Sequence, residues 1–313
     1  MIDSQTHYPR DMIGYANKPI NPQWPNKSKI ALQFVLNYEE GGENCILHGD
    51  KASEAFLSEI VSAEAFVGQR HLSIESNYEY GSRVGVWRIL ELFKDFDIPV
   101  TMFAVAMAIQ RNPTLADYLG KHNYDICSHG YRWINYQNIS EDLEREHLHK
   151  SIETLTEVMG KRPLGWYTGR DSINTRKLVI EEGGFLYDSD AYNDDLPYFT
   201  TDAPKGIEHL VIPYTLDVND MRFATPQGFN SGDQFFTYLK DSFDALYLEG
   251  EKAPKMMSIG MHGRLLGRPG RIMAMRRFLE YVSKFDDVWF CTREEVAKHW
   301  IENFGTVNKE INL

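Results

Sequence analysis

Residues 30 to 42 read Ile30-Ala-Leu-Gln-Phe-Val-Leu-Asn-Tyr-Glu-Glu-Gly-Gly42, and their reading decides the fold. From Ile30 to Leu36 the run is almost unbroken apolar, as expected of a strand buried on both faces in a parallel sheet. The strand delivers Asn37, Tyr38, Glu39 and Glu40 at its carboxyl end, and Gly41-Gly42 then turns the chain away. In α/β architectures that end of a strand is where ligands sit. Successive side chains of an extended strand point to opposite sides, so Glu39 and Glu40 share one site only if the chain already bends there. Two carboxylates beside glycines more often mark a solvated turn. The stretch gains weight only from later strands that also end in chemistry.

Working outward, short apolar strands alternate with helices. Strands are expected at 100–105, 124–127, 164–167, 185–187, 209–214, 255–261 and 288–291. Helices are expected at 83–96, 114–119, 140–159, 174–183 and 231–248, after Pro269-Gly270, and from Thr292 through Trp300. Ser140 and Gly160 stand where an N-cap and a C-cap belong. About eight strands in such alternation imply a mainly parallel sheet and a single, irregular (β/α) barrel. No GxGxxG follows any strand, which disfavours a dinucleotide fold. The chain divides into an extended N-terminal arm (1–29), a barrel (30–302) and a C-terminal tail (303–313). The arm carries Pro9, Pro19, Pro22 and Pro25 and is expected to cover one barrel end or wrap a neighbouring subunit. The connection 43–82 is long enough to be functional or to carry its own helices.

At 313 residues, with 42% hydrophobic and 25% charged residues, the composition is that of an ordinary globular protein. A formal charge of −12 and the absence of any Lys/Arg block argue against a nucleic-acid or anionic-membrane partner. Cys45, Cys127 and Cys291 are odd in number and far apart, with no CxxC, which fits a reducing compartment and argues against a disulfide frame or a cysteine zinc site. The first residues have neither a basic nor an apolar leader region, and no apolar run approaches a bilayer span, so a cytoplasmic location is expected.

The strand ends collect Glu39 and Glu40, His129 with Trp133, Tyr167 and Arg170, Asp188 and Asp190, and His262 with Arg264. A carboxylate can take a proton from water, a histidine can give one to a departing nitrogen, and arginines can hold carbonyl oxygens. Each has a plainer reading as a structural hydrogen-bonding group. Their joint placement favours a hydrolytic site.

The order of paired acids, Ser128-His-Gly-Tyr-Arg-Trp133, an Arg-bearing loop, Tyr187-Asp-Ser-Asp190 and a strand ending in His262 resembles the polysaccharide deacetylases over residues 30 to about 291. Those enzymes use an Asp-Asp pair and a His-x-x-x-His pair, with one Asp as base and the other Asp plus both His on a divalent metal. Here the acids are Glu39 and Glu40, and Trp133 replaces the second histidine. Indole offers a metal no lone pair, so the metal site reads as dismantled.

A closer resemblance is to the metal-independent allantoinase branch of that superfamily. It is carried by 8–15, 34–44, Ser128–Trp133, Gly165-Trp-Tyr-Thr-Gly-Arg170, Phe185–Asp190, Asn219-Asp-Met-Arg-Phe223 and Gly267-Arg-Pro-Gly-Arg271. The resemblance implies a cytoplasmic homo-oligomer, a homotetramer, that opens the ring of allantoin in purine breakdown with no metal or other cofactor. On this reading Glu39 is the base, His262 the acid, and His129 a third catalytic group. Glu40, Asn37, Trp133, Tyr167, Arg170, Arg264 and Asp188 hold substrate, with the assignment of the base between Glu39 and Glu40 left open. Three alternatives stand beside it. One is a metal-dependent deacetylase of a small N-acetyl substrate, with a third ligand from His48, His71 or Asp188. The others are a hydrolase of another cyclic ureide and a non-catalytic binding barrel.

Overall fold

The computed structural model describes residues 10–18 and 20–306. Pro9 and Pro19 of the arm and residues 307–313 of the tail lie outside the described residues, as does the start of the 8–15 resemblance. The central strand β1 (Ile30–Tyr38) is buried along its whole length. The long connection after it carries a helix, α1 (Leu72–Tyr80), which a π-turn at Gly81–Gly85 joins to α2 (Val86–Asp95). Sequence periodicity shows only the second half of this continuous helical segment. β2 (Thr101–Ala104), α3 (Ala106–Arg111), α4 (Pro113–Lys121), β3 (Asp125–Ser128) and α5 (Glu141–Met159) follow. As read from sequence, Ser140 caps α5 by accepting from Leu143 N, and Gly160 ends it in a left-handed conformation (φ 70°). Then come β4 (Gly165–Trp166), α6 (Thr175–Glu182), β5 (Tyr187–Asp188), β6 (Tyr198–Phe199), β7 (Leu210–Val211) and α7 (Gly232–Glu249). The chain continues with β8 (Lys255–His262), α8 (Pro269–Val282), β9 (Val288–Phe290) and α9 (Arg293–Phe304).

The sheet order is β6-β7-β5-β4-β3-β2-β1-β8, with β9 pairing to β1. Every pair is parallel except β6–β7. β1 bonds β9 through Ile30–Leu32 and β2 through Val35–Tyr38, so the two share one of its edges in succession. β1 alternates between two cores. Leu32, Phe34 and Leu36 pack outward with the helices, whereas Ala31 and Val35 face an inner cluster with Phe103, Cys127 and Ile212.

The sheet curls into a barrel that does not close by a regular strand pair. At the seam, β8 meets the 190–220 region through Met256 N bonded to Asp195 O (3.0 Å) and a parallel bridge between Asn219 and Gly260. The strands β4, β5 and β7 pair over only two residues each, which is why an even eight-fold barrel is not formed. α9 and the arm close the amino end of the barrel. Trp24 donates to Lys255 O (2.9 Å) and packs among Trp289, His299 and Trp300. α9 runs through Phe304, so Asn303 and Phe304 belong to it. Among the described residues, no helix is long and apolar enough to cross a membrane.

Candidate active site

The carboxyl ends of β1, β3 and β8 converge. Parallel register sets Asn37 of β1 beside His262 of β8, and His129 leaves β3 with its N–H bonded to Ala104 O of β2 (2.9 Å). β1 ends at Tyr38, and Gly42 N bonds back to Glu39 O (2.8 Å), so the chain bends as a shared acid site requires. Glu39 Oε1 then lies 3.3 Å from His129 Nε2 and 3.4 Å from His262 Nε2. All three side chains are buried.

Arg264 holds the two acids together. Its Nη2 donates to Glu39 Oε2 (2.5 Å), its Nη1 approaches Glu40 Oε1 (3.3 Å), and its Nε donates to Leu57 O (2.7 Å). Arg264 is 1% exposed, and the Tyr78 ring centroid lies 4.2 Å from its guanidinium. Burial pushes the Glu39 carboxyl up, but Arg264 and His262 with the His129 hydrogen bond outweigh it and hold the group well below the usual carboxylate range. Glu40 is displaced the other way: burial raises it, Arg264 opposes, and the neighbouring Glu39 charge adds to the rise. The π-turn permits this approach. A Cβ at Gly81 would overlap the Glu40 carboxylate, and one at Gly85 would overlap the Gly263 carbonyl.

His262 is backed by Asp220, which the sequence reading did not single out. Asp220 Oδ1 lies 2.6 Å from His262 Nδ1, and its Oδ2 accepts from the backbone N–H of His262 (2.7 Å) and of Leu266 (2.9 Å). Burial pushes His262 down, but Asp220 and Glu39 outweigh it and raise the imidazole to about 9. It is therefore an imidazolium at neutral pH, with Nδ1 bound to Asp220 and Nε2 facing Glu39. The string Asn219-Asp-Met-Arg-Phe223 was the signal. Asn219 caps the turn by accepting from Met221 N (2.9 Å), which aims Asp220 inward.

The other sequence candidates take distinct places. The Trp133 indole lies under the Arg170 guanidinium (3.7 Å to the ring centroid). Arg170 also meets Glu54 Oε2 (3.3 Å), a further residue that the sequence reading passed over. Tyr167 lies 5.0 Å from the His129 ring, and its hydroxyl pairs with that of Tyr192 (2.9 Å). Asn37 sits one layer below the acids and donates to Tyr214 Oη (2.9 Å) and Met261 O (3.1 Å). Asp188 stands apart, bound to Arg176 (2.9 and 3.1 Å) and His209 (2.8 Å).

A deacetylase metal does not fit this donor set. A permanent cation, Arg264, already bridges both carboxylates, and Trp133 supplies no lone pair. The third ligands that the sequence left open are engaged elsewhere. His48 Nδ1 meets Glu43 O (3.0 Å), and His71 caps α1 (3.4 Å to Ile74 N). Among the described residues, no group of three or more His, Cys, Asp or Glu side chains is arranged to hold a metal.

A family model described as polysaccharide deacetylase matches residues 69–182. A Schizosaccharomyces pombe protein assigned to the polysaccharide deacetylases is 45% identical over 310 residues, covering 93% of this chain and 96% of its own. The crystal structure of PuuE allantoinase superposes with a TM-score of 0.95 at 61% identity, over 96% of this chain and 100% of that one. A Pseudomonas aeruginosa PAO1 structure assigned as a polysaccharide deacetylase superposes with a TM-score of 0.94 at 60% identity, again over 96% and 100%.

Proposed function

The chain belongs to the polysaccharide deacetylase family, and from that premise we propose that it is an allantoinase, hydrolysing a ring amide of allantoin to give allantoate without a metal. The observation that carries the reading is Arg264, whose guanidinium bridges Glu39 and Glu40 beside Trp133, where the family's metal ligands would converge. In a site walled off from water, a fixed guanidinium supplies electrostatic order that a Lewis acid would otherwise give. The likeness to PuuE allantoinase over the whole of that chain supports the substrate.

The proton path follows from the distances. Water adds to the ring carbonyl carbon while Glu39, ionised, accepts its proton. The C–N bond breaks, and the His262 imidazolium gives its Nε2 proton to the departing nitrogen. Glu39 Oε1, 3.4 Å from that Nε2, returns its proton to His262, and both groups are restored. Asp220 holds the imidazole in place and favours its charged form. His129 steadies Glu39 from the other side, while Trp133, Arg170 and Tyr167 are placed to hold the carbonyl and ureido groups. Allantoin is small and dense in N–H and C=O groups, which suits such a polar, aromatic-walled site. Three buried free cysteines support a cytoplasmic setting.

The test is allantoate formation by purified protein before and after chelation and dialysis. Turnover that survives chelation is expected. Turnover lost on chelation and restored by a divalent ion would overturn the metal-free mechanism. Release of acetate from an N-acetyl sugar with no action on allantoin would overturn the substrate.

A further inference from the structure

Glu39, His129, His262 and Arg264 are only 1–4% exposed, so the centre described above is shut. The cover is residues 53–66 of the long connection after β1. Its ends are pinned together by an antiparallel bridge between Ala52 and Val67 and by Ser53 N bonded to Phe66 O (3.1 Å). A compact loop closed at its base can swing as a unit. Its inner side rests on the catalytic groups. Leu57 O accepts from Arg264, the Phe56 ring stacks on Trp133 (6.1 Å, 12°), and Phe56 O accepts from Tyr78 Oη (3.0 Å). Its outer side is tied by Glu59, which receives both Nη atoms of Arg271 (2.6 and 3.1 Å) and lies 3.6 Å from Arg268. These are the arginines of the Gly267-Arg-Pro-Gly-Arg271 turn, a motif the chemistry above does not use.

Two features suit the segment to movement. A cavity of about 350 Å³ separates it from the turn at Ala224–Pro226 and gives it room to withdraw. Leu57 and Ser62 are held at φ 48° and 61°, a left-handed conformation that residues with a Cβ adopt at a cost.

We propose that residues 53–66 are a gate, latched by Glu59 on Arg271, that lifts to admit substrate and on closing docks Leu57 O against Arg264. This deepens the amide-hydrolase reading and rests on it. A gate that shuts over catalytic atoms selects a compact substrate enclosed whole. A polysaccharide has to run out of the site on both sides of the reacting group, which the shut gate forbids. Arg264 couples the two events, because the same guanidinium that receives the gate organises Glu39.

The test combines hydrogen exchange and kinetics on wild type and Glu59→Gln, a residue remote from the reacting atoms. In the free wild-type protein, peptides covering 53–66 are expected to exchange faster than those of β1, and saturating allantoin is expected to slow them. Glu59→Gln should speed that exchange and raise KM roughly 2- to 5-fold, as a partly exposed ion pair allows, with kcat little changed. High salt should reproduce the effect in wild type and add little in the variant. Exchange as slow as that of β1, or unaltered by Glu59→Gln, would overturn the gate. Turnover of a chitin oligosaccharide by wild type would overturn the size selection. The exchange comparison of the two free proteins needs no substrate. A gate that loosens in Glu59→Gln while allantoin is neither bound nor cleaved would sustain the gate and overturn the allantoin reading alone.

Discussion

Two buried clusters in this molecule have the same composition, a strand-end carboxylate facing arginine and histidine, yet the proposed mechanism uses only one of them. Asp188 accepts from Arg176 Nε (2.9 Å), Arg176 Nη2 (3.1 Å), His209 Nε2 (2.8 Å) and the N–H of Asp190 (3.0 Å). A carboxylate has about four lone-pair sites, and here all are taken. Glu39 makes one short bond, to Arg264, and faces His129 and His262 at 3.3 and 3.4 Å. Those long approaches leave acceptor capacity for a water or a substrate N–H. Charge and burial are therefore common to both clusters, and unfilled hydrogen-bonding capacity is what suits Glu39, rather than Asp188, to the proposed reaction.

The sharpest way to break the comparison is Glu39→Gln. The amide keeps the shape and removes the base, so kcat per folded enzyme should fall roughly 10²–10⁴-fold. Turnover near the wild-type level would make Glu39 as structural as Asp188. The converse change, Asp188→Asn, should act on stability. Breaking a buried pair costs about 3–5 kcal/mol, and the low end applies because the Arg176 side chain is 25% exposed. A lower denaturation midpoint with kcat retained in the folded fraction is expected. A kcat loss without destabilisation would move Asp188 into the chemistry.

How much of this was legible in the sequence follows from what a local pattern can carry. β1 was readable because six apolar residues in a run of seven, ahead of two acids and two glycines, fit a buried parallel strand and little else. His129 and His262 were readable because each directly ends a strand. The destination of Arg264 was not, since its guanidinium is aimed by contacts with Leu57 O and Tyr78, both far away in sequence. Asp220 lies on a single turn with no period, so only its string of neighbours marked it. The seam of the barrel was hidden for a related reason. The two-residue β6, antiparallel to β7, is too short for alternation to register, and its pairing is decided by tertiary contacts. Glu54 and Glu59 sat in a polar connection where nothing local distinguishes a gate from a solvated loop.

The smallest expected effect at neutral pH, and the most diagnostic, is that of Asp220→Asn. His262 must be charged to give a proton. On the proposed path its raised value of about 9 predicts that turnover is full well below that pH and falls as pH rises through it. Without the Asp220 charge the imidazole should move down toward its ordinary 6.5, carrying the alkaline limb of kcat/KM with it. Stability has the same sign. A histidine raised in the folded state contributes stability that is complete below its unfolded value and lost as pH climbs through the folded one. Wild type should therefore lose stability as pH rises toward and through about 9, and Asp220→Asn should lose less over that window. An alkaline limb that stays in place in Asp220→Asn would mean that another group gives the proton, and that Asp220 serves His262 only as Arg176 serves Asp188, by holding it still.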